Sequence, residues 1–244
     1  MSVEGKVAIV TGARQGLGKA IALGLAEAGA DLVITDRVTD DGKLVEVASQ
    51  IEKMGRKVLH LGGDITVDAD VESMVKQSMD KFGKIDVLVN NAGVTAPDPF
   101  LKMPTRRWNL IISVNLNGTF LCTYYVLPKM VEKGTGTVIN VSSILAERVQ
   151  FSIPYGTSKA AVERFTKGLA REMRHYPGIA ITCIRPFFVK TDVVMGFLPE
   201  ADMKDWETPE MWTKYTAMVA GADPQAINGK ILDKKALEEL FGPV

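Results

Sequence analysis

Short apolar, β-branched runs alternate with longer amphipathic stretches along most of the chain. "KVAIVTG" is the first such run and ends in glycine; Lys19 to Ala28 follows with helical composition until Gly29 stops it. "DLVITD" precedes a polar helix to Met54, closed by Gly55, and "KVLHLGG" precedes a helix with Val71, Met74, Val75, Met79 and Phe82 on one face. The unit returns as "IDVLVNNAG" before a helical region from Thr105 to Lys133, as "GTVINVSS" before the helix of "SIPYGTSKAAVERF", and as "GIAITCIRP". Strands that are apolar almost throughout, alternating with helices, predict an α/β fold: a doubly wound parallel sheet covered on both faces. The pattern breaks after Lys190, where Met, Trp and Phe mix with acidic residues and prolines through Tyr215.

The 244 residues are 46% hydrophobic, enough for one compact core, so 1–244 is expected to form a single domain. Lys plus Arg and Asp plus Glu number 29 each, so no net field favours nucleic acid or an anionic membrane surface. The first residues lack the basic start and long apolar run of a signal peptide, and no later stretch is expected to reach the length of a membrane span. These features predict a soluble, cytoplasmic protein. Cys122 and Cys183 each sit in an apolar run without ligand-like spacing to His60 or His175, so neither a disulfide nor a metal is expected.

"TGARQGLG" places Gly12, Gly16 and Gly18 between the first strand and the first helix. There, glycine permits a sharp bend, lets backbone amides approach a pyrophosphate, and lets helix and sheet pack closely, as in Rossmann-type dinucleotide sites. Asp36 ends the second strand, where a carboxylate can accept hydrogen bonds from ribose hydroxyls and repel a 2'-phosphate; this favours NAD over NADP. Arg14 and Arg37 pull the other way, because a guanidinium can pair with that phosphate, or they are solvated surface charges. Asp64 in "GGDIT" either binds an adenine amino group or caps the following turn.

Together, "TGARQGLG", Asp64, "NNAG" at Asn90 to Gly93, Asn115, Ser142, Tyr155 and Lys159 resemble the short-chain dehydrogenase/reductase family over roughly residues 5–191. The resemblance implies a catalytic tetrad of Asn115, Ser142, Tyr155 and Lys159, with Asn115 holding a water linked to the lysine. Ser142 is selected by its spacing of thirteen residues before the tyrosine, with Ser143 as a neighbouring contact. The implied cofactor set comprises Gly12, Arg14, Gln15, Gly16, Leu17 and Gly18, Asp36 and Arg37, Asp64 and Ile65, Asn91, Ala92 and Gly93, Tyr155, Lys159, Pro186, Val189 and Thr191. A tetramer assembled through the helices of Asn115 and Tyr155 is also implied. Independently of the family, a phenol is a weak base at neutral pH; an ammonium one helical turn away on the same face stabilises the phenolate.

Two features depart from the family's pattern. Phe187 stands in "IRPFFVKT" where the family has glycine, which is expected to reshape the wall near the nicotinamide unless the ring points outward, and the C-terminus keeps a strand near Ile231 and Leu232 without the usual ending. The segment 192–215 is expected to cover the substrate, with its aromatic and thioether groups either meeting an apolar or aromatic substrate or anchoring the segment to the body. Candidate substrate residues are Ser142, Arg148, Phe187, Phe188, Met195, Phe197 and Trp206. The expected function is NAD-dependent interconversion of a secondary alcohol and a ketone. NADP-dependent ketone reduction is the alternative, and a non-catalytic dinucleotide-binding regulator a more distant one.

Overall fold

The computed structural model describes residues 3–149, 152–191, 194–195 and 204–244. Seven parallel strands form one sheet in the order β3-β2-β1-β4-β5-β6-β7: β1 (Val7–Thr11), β2 (Asp31–Asp36), β3 (Val58–Gly62), β4 (Val87–Asn90), β5 (Gly136–Val141), β6 (Ile179–Ile184) and β7 (Ile231–Leu232). The helices are α1 (Gly16–Glu27), α2 (Lys43–Lys53), α3 (Asp68–Phe82), α4 (Thr105–Ile112), α5 (Thr119–Lys133), α6 (Ile153–Glu172), α7 (Pro209–Ala220), α8 (Pro224–Ile227) and α9 (Lys234–Phe241). This is the single-domain doubly wound fold that the alternating pattern predicts.

Because strand side chains alternate in direction, β1 divides its apolar residues between the two faces. Ala8 and Val10 pack with α1, α2 and α7, while Ile9 packs with α3 and α5. Both faces are therefore dry, and the central strands carry no polar repeat. At the edge, β3 is buried only in part, with His60 exposed.

Two expectations need correction. Pro209 to Tyr215 belongs to a core helix rather than a covering segment: Trp212 and Tyr215 are fully buried, and α7 rests on α1 at Gly24, whose missing side chain leaves a notch for Thr213. The sequence pattern there does not distinguish anchoring aromatics from covering ones. The helical run Thr105–Lys133 is also long and apolar enough to cross a membrane by length and composition. Its apolar face, with Cys122, Val126 and Met130, is buried against the sheet, which accounts for its hydrophobicity as that of a core helix.

Candidate active site

Strand order reverses direction between β1 and β4, and open α/β sheets place ligands at the carboxyl ends of strands flanking such a point. A cavity of about 530 Å³ lies there. Its first wall is the turn from β1 to α1. Gly12 and Gly16 hold left-handed φ angles of 65° and 58°, and a side chain on Gly18 would meet the Gly12 carbonyl oxygen at 2.2 Å. No side chain caps α1, and its first turn has no acidic residue, so the amides of that terminus are disposed to receive an anion. Asn91 fixes the turn from the side: its Nδ2 donates to the carbonyls of Thr11 (2.9 Å) and Gly12 (3.2 Å). Gln15, Leu17, Ala92 and Gly93 complete this wall.

Asp36 and Arg37 line the cavity beyond the end of β2. Arg14 lies 3.6 Å from Asp36 through Nε and donates through Nη1 to Asp41, so its charge is drawn into a carboxylate cluster. The Arg14 Nε is nevertheless buried without a hydrogen-bond acceptor. Asp64 and Ile65 also line the cavity; the Asp64 Oδ1 accepts from the Thr66 amide and hydroxyl at 2.9 and 2.7 Å, which is the turn-capping use of that carboxylate. An open helix terminus, a glycine cradle and a polar far end fit a dinucleotide.

At the other end, α6 sets Tyr155 and Lys159 one turn apart, with Lys159 Nζ 5.6 Å from the centre of the Tyr155 ring. Lys159 is 4% exposed and donates to the Val141 carbonyl at 2.7 Å. Burial lowers the Lys159 pKa to about 8 and raises that of Tyr155, while the Ser143 hydroxyl beside the phenol opposes the second shift. Each group alone resists its charge, and the ammonium and phenolate favour one another.

Ser142, selected by spacing, is turned into the interior. Its hydroxyl donates to Glu163 Oε1 at 2.7 Å. Ser143, the next residue, faces the tyrosine and accepts from the Leu145 amide at 3.2 Å. Both residues line the cavity, but side chains alternate in direction at the end of β5, so the two hydroxyls take different partners. Counting residues back from Tyr155 does not resolve that choice.

Asn115 is fully buried and braces the site rather than lining it. Its Oδ1 accepts from the Val94 amide (2.8 Å), and its Nδ2 donates to the Val94 carbonyl (3.0 Å) and Ser158 Oγ (2.9 Å). The Ser158 hydroxyl in turn donates to the Tyr155 carbonyl at 2.7 Å. Asn115 sits in a π-helical turn, Ser113–Gly118, between α4 and α5, the type of local irregularity that often aims a side chain at a site. Behind it, Asn90 Nδ2 donates to Asn140 Oδ1 (2.9 Å) and Thr123 Oγ1 (3.0 Å), bracing β4 against β5 and α5.

The candidate substrate residues separate. Phe187 and Phe188 line the cavity with Pro186, Val189 and Thr191. Trp206 stands outside the lining and stacks on Phe188 at 5.3 Å, supporting the wall from behind. Arg148 and Met195 are likewise not among the lining residues; Arg148 lies over the Phe187 ring, 5.1 Å from its centre. Phe197 falls outside the described residues. Val94 and Leu145 join the lining without having stood out in the sequence, where they read as ordinary apolar residues. The Phe187 amide is held by Glu207 Oε2 at 2.8 Å, which also accepts from Trp212 Nε1 at 2.8 Å.

A family model described as short chain dehydrogenase matches residues 6–202. Among curated relatives, a hydroxy(phenyl)methylsuccinyl-CoA dehydrogenase subunit of Thauera aromatica is 38% identical over 204 residues, covering 84% of this chain and 81% of its own. A 5-keto-D-gluconate 5-reductase of Escherichia coli is 31% identical, covering 99% and 93%. Among solved structures, the L-sorbose reductase of Gluconobacter frateurii, complexed with NADPH and L-sorbose, superposes with a TM-score of 0.87 at 27% identity, covering 96% of each chain.

Proposed function

The chain belongs to the short-chain dehydrogenase family of oxidoreductases, and from that premise we propose that it interconverts a secondary alcohol and a ketone with NAD. The observation that carries this reading is the meeting of Tyr155, Lys159 and Ser143 in the same cavity as the glycine cradle of α1. A bound nicotinamide dinucleotide would supply or accept the hydride. In ketone reduction, the Ser143 hydroxyl hydrogen-bonds the substrate oxygen while the Tyr155 hydroxyl gives it a proton; in alcohol oxidation Tyr155 takes that proton. Lys159 stabilises the phenolate in either direction, and Asn115 holds α6 to the loop after β4. The aromatic wall of Phe187 and Phe188 suits an apolar or aromatic substrate. A cytoplasmic homotetramer completes the proposal, the partly exposed Phe120 and Tyr124 on α5 being apolar groups that subunit contact would cover.

The test is a panel of alcohols and ketones followed at the nicotinamide absorbance; no turnover with any member counts against the reading. With a substrate in hand, Ser143→Ala is expected to lower kcat by about a hundredfold, as for loss of one donor to a reacting oxygen. Ser142→Ala is expected to cost at most about tenfold, because that hydroxyl's bond to the Glu163 carboxylate positions the turn and touches no reacting atom. The reverse ranking would restore Ser142 as the reacting serine.

NAD is supported by Asp36 at the cavity and by the capture of Arg14 between Asp36 and Asp41. The opposing reading, NADP, draws on exposed Arg37 in the same lining and on the NADPH in the sorbose reductase. Asp36→Ala is expected to lower kcat/KM for NADH by about ten- to a hundredfold, the value of hydrogen bonds to a charged group, while that for NADPH rises. A wild-type protein with the higher kcat/KM for NADPH overturns the NAD assignment.

A further inference from the structure

Beneath Tyr155 and Lys159 lies a charged cluster that proton transfer itself does not use. Glu163, one turn beyond Lys159 on α6, is only 7% exposed. Its Oε1 accepts from Ser142 Oγ (2.7 Å) and Arg185 Nε (2.8 Å), and its Oε2 accepts from Arg185 Nη2 (2.7 Å). Arg185 follows β6, precedes Pro186, and also pairs through Nη1 with Glu147 at 2.7 Å. One ion pair thus joins the helix of the tyrosine, the serine turn after β5, and the β6 exit that leads to Phe187. Apolar residues of similar volume would hold these layers at least as well, so stability alone does not account for two buried charges.

We propose that Glu163 and Arg185 are positioning residues: the pair anchors Ser142 inward, which turns Ser143 toward Tyr155, and keeps the charge beneath Lys159 balanced. This builds on the reading of Tyr155 as the proton carrier. Among the described residues, the titratable and charged neighbours of the Tyr155–Lys159 face are Glu163 on the same helix, Glu147 and Arg148 after β5, Cys183 on β6 and Arg185 just beyond it. The α4 end and π turn face the cavity with Leu110, Ser113 and Val114, none of which titrates. The Cys183 thiol, pushed by burial up to about 12, stays neutral.

The experiment is a pH titration of the cofactor-free protein by NMR of ¹³Cε-labelled lysine, with Lys159 recognised as the resonance lost in Lys159→Met. Glu163→Gln leaves the guanidinium opposed only by the exposed Glu147 and is expected to lower the Lys159 midpoint by about one pH unit; Arg185→Met leaves the Glu163 carboxylate unopposed and is expected to raise it by about as much. The double variant Glu163→Met with Arg185→Met removes both buried charges and is expected to restore the midpoint, while kcat falls about tenfold at unchanged KM because Ser142 has lost its acceptor. Shifts in one direction, no shifts, or a double variant with wild-type kcat overturn the proposal. Should the single variants fail to fold, the double variant's kcat decides. The titration needs no turnover, so a wild-type protein inactive on every panel member counts against the oxidoreductase reading separately.

Discussion

Tyr155→Phe is expected to lower turnover by about 10²- to 10⁴-fold, the usual worth of a positioned proton donor. The substitution removes one oxygen and keeps the ring, so the ring's approach to Lys159 Nζ and the bond from Ser158 to the Tyr155 carbonyl both survive. Fold and dinucleotide affinity are therefore expected to be unchanged. Steady-state rates read the first effect, and fluorescence titration with the reduced dinucleotide reads the second. Wild-type turnover in the variant would remove Tyr155 from the reaction. Loss of affinity alongside turnover would assign the phenol to cofactor placement instead.

Gly18→Ala is expected to have the second large effect, on both stability and cofactor affinity. The added carbon would stand 2.2 Å from the Gly12 carbonyl oxygen and 2.3 Å from Asn91 Nδ2, and the first of these is backbone that cannot turn aside. Relief requires α1 to move from the β1 turn or Asn91 to release Thr11 and Gly12. Overpacking of this kind costs about 1–3 kcal/mol, which corresponds to a fall in Tm of about 5 °C for a chain of this size. Dinucleotide Kd is expected to rise about tenfold or more, since the amides that meet the pyrophosphate are displaced. Gly134→Ala, at a left-handed φ of 82° with open space around it, supplies the comparison. It is expected to cost about 1 kcal/mol from backbone strain alone and to leave affinity intact. Equal affinity losses in the two variants would show that the cradle at Gly18 has no special part in binding.

The sheet was legible because buried parallel strands need continuous apolar runs, and "KVAIVTG", "DLVITD" and "GIAITCIRP" have few alternative uses. Tyr155 and Lys159 were legible because a separation of four residues on one helix fixes a shared face. The serine was not, since its identity depends on which way the chain turns as it leaves β5. Glu163 lies eight residues beyond Tyr155 on the same helical face, so its direction was readable, but its partner Arg185 is brought to it only by the pairing of β5 with β6. Around residues 205–215, aromatic residues among charges did not reveal that Gly24, distant in sequence, offers α7 a seat.

The apolar helical run Thr105–Lys133 also bears on how the chain is made. It leaves the ribosome after β1 to β4 and before β5 to β7, and the four earlier strands are contiguous in the finished sheet. Ile9, Val33 and Leu88, all from those strands, belong to the apolar cluster that covers Cys122, Val126 and Met130. The nascent chain thus carries its own platform by the time its most membrane-like segment emerges. A circular permutant opened after β4 would synthesise that helix ahead of its shelter and depend on chaperones until translation ends.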